Sequence, residues 1–237
     1  MHRSGIDLCA KVWRHWAMGW FIPGCLILTM GGNAMSEDQK TREIQLPAAV
    51  HRGAVSLEQT LSTRRSVREY SDQPLTLAQI SQLLWAAQGM THPGGFRTAP
   101  SAGALYPLAI YLIAGKVGGL EAGIYQYVPH RHALAVKALG EKRSALSQAA
   151  LQQRAVSQAP ATILLAAVYA RTTGRYGERG KRYVHMEAGH VAQNVALQAV
   201  SLGLGAVFIG AFQDDLVQQA AGLPAPQAPL YLIPIGR

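Results

Sequence analysis

Apolar and polar positions alternate along the chain in two distinct periods. Leu77, Ile80, Leu83, Leu84 and Ala87 recur three and four apart, which predicts a helix with one buried face. Thr76 precedes that run with Gln79 three residues on, the pattern of a capping box, and Gly89 follows its last apolar position. A shorter helix is predicted over residues 56–62. Residues 109–114 and 123–128 read as strands, the second with Tyr125 and Tyr127 on one face, and His130-Arg131 turns the chain into a third over 133–139. Residues 141–153 return to a helical pattern. Residues 161–169 are apolar throughout, as a strand covered on both faces must be. A long helix follows from about residue 183 to 202, apolar on nearly every side between Val191 and Val200, which predicts burial all round. Glycines at 203 and 205 close it. A strand over 206–212, a short helix over 214–221 with acids in its first turn and a last strand over 230–235 complete the series.

Two polar stretches interrupt these elements. Residues 91–104 hold three Gly and two Pro, and residues 171–182 are rich in Gly and Arg; both read as loops. Residues 37–55, with Pro47 and Gly53, read as a polar arm. The order of helices, a hairpin and then alternating helix and strand predicts an α+β fold, a central sheet with helices on its faces.

The amino terminus stands apart. Arg3, Lys11, Arg14 and His15 precede fifteen uncharged residues, 16–30, and Gly31, Gly32, Ala34 and Ser36 follow. This looks like a secretory signal with Ala34-Met35-Ser36 as its cleavage site; the apolar run is shorter than the ~20 residues a spanning helix needs. The organisation expected is therefore a leader over 1–36, a polar arm and linker over 37–61, and one domain over 62–237. Export to the periplasm is the expectation, and a start at Met18 or Met35 would instead make the protein cytoplasmic.

Composition narrows the chemistry. With 49% hydrophobic and 15% charged residues among 237, the chain has a core to build and is not a charge-driven disordered protein. From residue 37 onward 19 Lys/Arg face 12 Asp/Glu. The basic residues are scattered or in short clusters without interleaved aromatics, which fits a small phosphorylated ligand better than a nucleic acid or a membrane. Both cysteines, Cys9 and Cys25, fall in the first thirty residues. The rest of the chain thus lacks the means for disulfides, thiolate metal sites or a cysteine nucleophile. No Walker loop or nucleophile elbow is present. The glycines of 203–210 follow a helix and precede a strand, the reverse of a dinucleotide-binding turn. His185 and His190 stand about 140° apart on a helix and share no face, so no metal is expected.

Two motifs carry candidate chemistry. Arg64-Arg65-Ser66-Val67-Arg68 offers planar donor forks and a hydroxyl that match a phosphate, although a solvated basic turn has the same composition. Pro100-Ser101-Ala102-Gly103-Ala104-Leu105-Tyr106-Pro107 joins a loop of small residues to a strand, and is either a surface turn or a place where backbone approaches a flat ligand. Further on come Tyr176-Gly177-Glu178-Arg179-Gly180, Glu187-Ala188-Gly189-His190-Val191-Ala192-Gln193-Asn194, Gly203-Leu204-Gly205 and Pro234-Ile235-Gly236-Arg237. In this order and spacing, residues 62–237 resemble the nitroreductase-like FMN flavoproteins, and within them the branch of SagB/ThcOx-type dehydrogenases that oxidise azolines in peptide natural products.

The resemblance implies an α+β sandwich, a central mixed sheet flanked by helices, and an intertwined homodimer with FMN at each of two interface sites. It places Arg64 and Ser66 on the phosphate and ribityl side and Arg65 and Arg68 beside the flavin. Pro100, Ser101, Ala102 and Gly103 would line the ring from the partner subunit. Phe208, Ile209 and Gly210 would sit over the ring, and Arg237 would reach the phosphate. The implied reaction passes hydride from NAD(P)H through flavin N5 to a small electrophile such as a nitro compound or quinone; oxidation of a modified azoline peptide is the alternative, and a basic binding module without turnover is the reading of another class. The cofactor carries hydride chemistry, so no catalytic dyad is required. Azoline-oxidising members commonly carry Lys-Tyr where this chain has Arg175-Tyr176. Arginine is too basic to act as a proton acceptor, which leaves Tyr176 as the acid/base candidate.

Overall fold

Two seven-residue strands, β3 (Leu108–Ala114) and β7 (Ala161–Ala167), are buried at every position. Successive side chains of a strand point to opposite faces, so both faces of this pair must be covered. The two pair antiparallel from Leu108↔Ala167 to Ala114↔Ala161. They form the middle of a seven-stranded sheet in the computed structural model, which describes residues 42–237. The expected leader over 1–36 lies outside the described residues.

From one edge to the other the sheet runs β1 (Glu43–Gln45), β6 (Ala133–Leu139), β5 (Gly123–Val128), β3, β7, β9 (Ala228–Gly236) and β8 (Gly205–Ala206). Each neighbouring pair is antiparallel, which corrects the expectation of a mixed sheet. Short returns such as the one between β3 and β5 reverse the chain, and only a long crossover permits parallel pairing. Parallel contact is confined to the small pair β2 (Leu75–Thr76) with β4 (Val117–Gly118) and to a bridge between Ser66 and Ala206.

One face of the sheet, with Leu112 and Leu165, packs on α2 (Leu77–Gln88) and α6 (Arg179–Ser201) through Leu83, Leu84, Val191 and Val195. The opposite face, with Tyr111 and Leu164, packs on α3 (Arg143–Ala149), α4 (Arg154–Gln158) and α7 (Asp214–Ala221) through Leu146, Val156 and Val217. Each such aliphatic side chain contributes about 1.5–3 kcal/mol by leaving water. The capping box of α2 is complete: Gln79 N–H donates to Thr76 Oγ1 at 3.2 Å and Thr76 N–H to Gln79 Oε1 at 2.9 Å. Gly89 ends the helix where a Cβ would come within 2.2 Å of Trp85.

Several boundaries differ from the sequence expectation, each for a local reason. The helix over 141–153 breaks because Leu151 and Gln152 take positive φ, 57° and 59°. The stretch 171–182, expected as a loop, is instead α5 (Ala170–Tyr176) and the first turn of α6. Gly177 (φ 56°) turns the chain between them, and Gly180 packs so close that a Cβ would meet Thr172 and Thr173 backbone at 2.9 Å. The strand over 206–212 shortens to β8 with a single further bridge, Ile209↔Leu232. Within the polar arm, residues 43–45 join the sheet edge as β1. Finally, α6 is not buried all round: Asn194, Leu197 and Gln198 are half-buried and line a groove.

Candidate functional site

The helix α1 (Leu57–Thr63) is capped by Ser56, whose hydroxyl accepts from Gln59 N–H, and it closes on Arg64, whose N–H donates to Thr60 O at 3.0 Å. At Arg64 the backbone turns extended (φ −53°, ψ 127°). The next residues run beside β8: Ser66 bridges Ala206, and Val67 N–H donates to Ala206 O at 3.0 Å. Gly205 makes that approach possible, since a Cβ there would lie 2.6 Å from Val67 Cβ. On its other side β8 pairs with the end of β9, Gly205 opposite Gly236. A Cβ on Gly236 would strike the Tyr70 ring at 2.7 Å. Tyr70 donates its hydroxyl to Val67 O at 2.7 Å, with Pro234 O 3.1 Å away, and burial raises its pKa well above the usual range. Ser71 N–H reaches Arg237 O at 2.6 Å.

The two ends of the domain sequence therefore meet at one sheet edge. Arg64 is half-buried, and Arg65, Ser66, Arg68 and Arg237 are exposed. Arg65 folds back on its own backbone, its Nη1 donating to Arg64 O at 2.8 Å. Among the described residues none of these four arginines forms an ion pair. Phe208, Ile209 and Gly210 continue the same edge along β9, with Ile209 N–H and O both bonded to Leu232. Phe208 tilts against Tyr231 with ring centroids 6.1 Å apart, and Gly210 is exposed. Ile209 departs from the expected role over a ring. Its side chain is 4% exposed within the core on the α3–α7 face, because strand alternation turns it inward between its two neighbours.

A second cluster forms around the loop before β3. Pro100 is exposed, and the turn of Ala102–Ala104 places Gly103 at φ 62° and Ala104 at φ 54°. Ser101 Oγ accepts from Tyr106 N–H at 2.9 Å. The Tyr176 hydroxyl and Arg175 Nη1 stand 2.8 and 3.0 Å from where a Cβ on Gly103 would be. Behind the loop runs a network that extends outside the candidate motifs of the sequence. Arg97 lies over the Tyr106 ring at 4.2 Å and donates to Gln88 Oε1 at 3.1 Å, while Gln88 Nε2 donates to Glu187 Oε1 at 3.1 Å. Glu187 is 2% exposed; burial pushes its pKa up, against the hydrogen bonds from Ser101 and Gln88. Its spacing was the available signal, since it is an acid on the stripe of Val184, Ala188 and Val191 that faces the core.

The two clusters lie toward opposite ends of the sheet. The Ser101–Tyr106 loop leads into Leu108, beside Ala167 and the start of β9, whereas Arg237 follows the end of β9, beside Ala161. Along α6 the separation from Glu187 to Ser201 corresponds to about 21 Å. Between the arm, α1, α2 and α6 opens a groove of about 770 Å³, with Val50, Leu57, Trp85, Leu197 and Leu202 among its lining residues.

Residues 61–237 match the profile of the family described as Nitroreductase family. A Methanocaldococcus jannaschii protein classed as a nitroreductase, MJ1384, is 50% identical over 198 residues, covering 83% of this chain and 97% of that protein. The structure of an Anabaena variabilis protein classed as a nitroreductase superposes with a TM-score of 0.74 at 31% identity, covering 83% of this chain and 42% of that one. McbC, the microcin B17-processing protein of Escherichia coli, is 27% identical over 155 residues, 63% of this chain and 57% of McbC. The matched region takes in both clusters, from the arginines at the sheet edge to Arg237 itself, and the chain belongs to the nitroreductase family of oxidoreductases.

Proposed function

We propose that the protein is an FMN-dependent oxidoreductase, active as a homodimer, that takes hydride from NAD(P)H and passes it to a small electrophile such as a nitro compound or quinone. The observation that carries this reading is the meeting of Arg64–Arg68 with Gly236-Arg237 along β8. The donor set fits a flavin mononucleotide tail. A phosphate monoester brings nearly two negative charges near neutral pH, and Arg64, Arg65, Arg68 and Arg237 supply guanidinium donors beside the Ser66 hydroxyl, free of competing carboxylates among the described residues. Each charge-assisted bond contributes roughly 1.5–3 kcal/mol.

When bound, FMN supplies the hydride chemistry. The protein's part is placement. Arg64 and Ser66 hold the phosphate and ribityl side, Arg237 closes on the phosphate, and Phe208 and Gly210 border the ring. The Pro100–Gly103 loop lies toward the other end of the strands, so a slot bounded by both clusters takes that loop from a second copy. A second reading, oxidation of a modified peptide, draws on the likeness to McbC and on the Tyr176 hydroxyl at Gly103.

The test is retention of flavin. Protein supplied with FMN and passed through gel filtration is expected to emerge yellow with one FMN per chain, and a colourless peak overturns the proposal. Arg64→Ala should weaken FMN binding by about 2 kcal/mol, roughly thirtyfold, and unchanged occupancy would put the phosphate elsewhere.

A further inference from the structure

We infer that the α5–α6 elbow is the substrate-selecting wall of the flavin site, and that it selects a planar substrate carrying a carboxylate or comparable anion. This rests on the FMN reading above. Arg171, Arg175, Arg179, Lys181 and Arg182 crowd the elbow with a single acid, Glu178, which pairs with Lys181 at 2.7 Å. The four arginines pair with no carboxylate among the described residues.

Two of them aim at the loop. Arg171 and Arg175 stand one turn apart on the same face of α5. Arg171 Nη1 donates to Tyr106 O at 3.2 Å, and Arg175 Nη1 lies 3.0 Å from the Cβ position of Gly103. Arg97 adds a third guanidinium, over the Tyr106 ring and close enough to feel the charge of Arg171. The carboxylate behind the loop, Glu187, is buried and occupied by Gln88 and Ser101. Positive charge is therefore unbalanced on the solvent side.

Apart from the Arg171 bond to Tyr106 O, the clustered charges do not favour the fold itself. Like charges at i, i+4 and cations in the first turn of a long helix each cost a few tenths of a kcal/mol, and a bound anion offsets them. The flavin phosphate is assigned to the other cluster, so it does not serve here. Beside the guanidinium stand aromatic walls: Tyr176 meets Tyr183 edge-on at 5.2 Å, and Arg175 lies 5.4 Å from the Tyr176 ring centre. Gly103, with no side chain, lets the Tyr176 hydroxyl and the Arg175 guanidinium come up against the loop. A guanidinium fork next to two tyrosine rings suits an aromatic carboxylate.

The experiment is equilibrium titration of the oxidised FMN-loaded protein with benzoate and with benzamide, read from the perturbed flavin absorbance. Benzoate should bind about tenfold or more tighter than benzamide, with the preference shrinking as NaCl is raised. Arg175→Ala should abolish the preference. Arg175→Lys should restore part of it, because the charge returns without the fork. An unaltered flavin spectrum in each variant shows that the site is intact. Equal affinities, no perturbation by either probe, or a preference untouched in Arg175→Ala overturns the inference while leaving the flavin reading in place. A protein that holds no FMN overturns both.

Discussion

Glu187 sits nearly out of water on α6, and its neighbours decide what removing it costs. Gln88, 0% exposed, gives it an amide proton, so Glu187→Ala strands a buried donor and should cost about 1–3 kcal/mol. Glu187→Gln keeps an acceptor and should be far milder. The pH dependence follows from burial, which raises the carboxyl pKa in the folded protein. A raised native pKa means that the folded state binds the proton more tightly than the unfolded one. The carboxyl's contribution is therefore complete below the unfolded value of about 4.3 and is lost as pH rises through the native value. The difference in Tm between Glu187→Gln and the unchanged protein should move in favour of Gln across that window and then level off; a flat difference would mean that the carboxyl is not desolvated. At this scale the sequence is unevenly legible. Arg64–Arg68 and Pro100–Gly103 stand out by composition as candidates, although a solvated basic turn and a surface turn share that composition. The pairing of Gln88 with Glu187 joins residues 99 apart in the chain, and no local pattern encodes it.

Elements are legible in proportion to their length. The apolar period of α2 and its Thr76–Gln79 cap can be read directly, and both halves of the cap form. Thr76→Ala should therefore cost about 1 kcal/mol, a fall in Tm of roughly 2–4 °C for a domain of this size. Strands of two or three residues have no period to read. That is why β1 is not distinguishable within a polar arm, and why β8 reads as the beginning of a longer strand. Residues 171–182 misled for a different reason. Their glycines signal a loop, yet Gly177 serves as the turn between α5 and α6 and Gly180 as the point where the helices touch. The two-residue strand β8 has the most direct bearing on the candidate site. With Val67 Cβ 2.6 Å from where a Cβ on Gly205 would sit, Gly205→Ala should push the Arg64–Arg68 segment off the sheet edge. FMN retention is expected to fall in that variant without any change to a side chain proposed to hold the phosphate. Undiminished retention would show that the arginines act independently of β8.

At the scale of the whole molecule, the two clusters lie toward opposite ends of the strands, one beyond Gly236 and the other before Leu108. On the proposed reading, a ring slot walled by both would be complete only when a second copy supplied the missing wall, and flavin binding and association would become one equilibrium. The groove between α1, α2 and α6 is a suitable place for that copy. It carries Val50, Leu57, Trp85, Leu197 and Leu202, with Leu57 59% exposed. Because anything that binds only the assembled form stabilises it by mass action, FMN should shift the protein toward dimer, and dilution should release flavin. Leu197→Asp would bury a carboxylate without a partner, a cost large enough to keep the copies apart. In sedimentation that variant is expected to run as a monomer that has lost its flavin, whereas Arg64→Ala should lose flavin affinity while still dimerising at high protein concentration. The contrast separates the two roles. If Leu197→Asp remained a yellow dimer, the copies would have to meet through another face, while a yellow monomer would mean that one chain closes the slot alone.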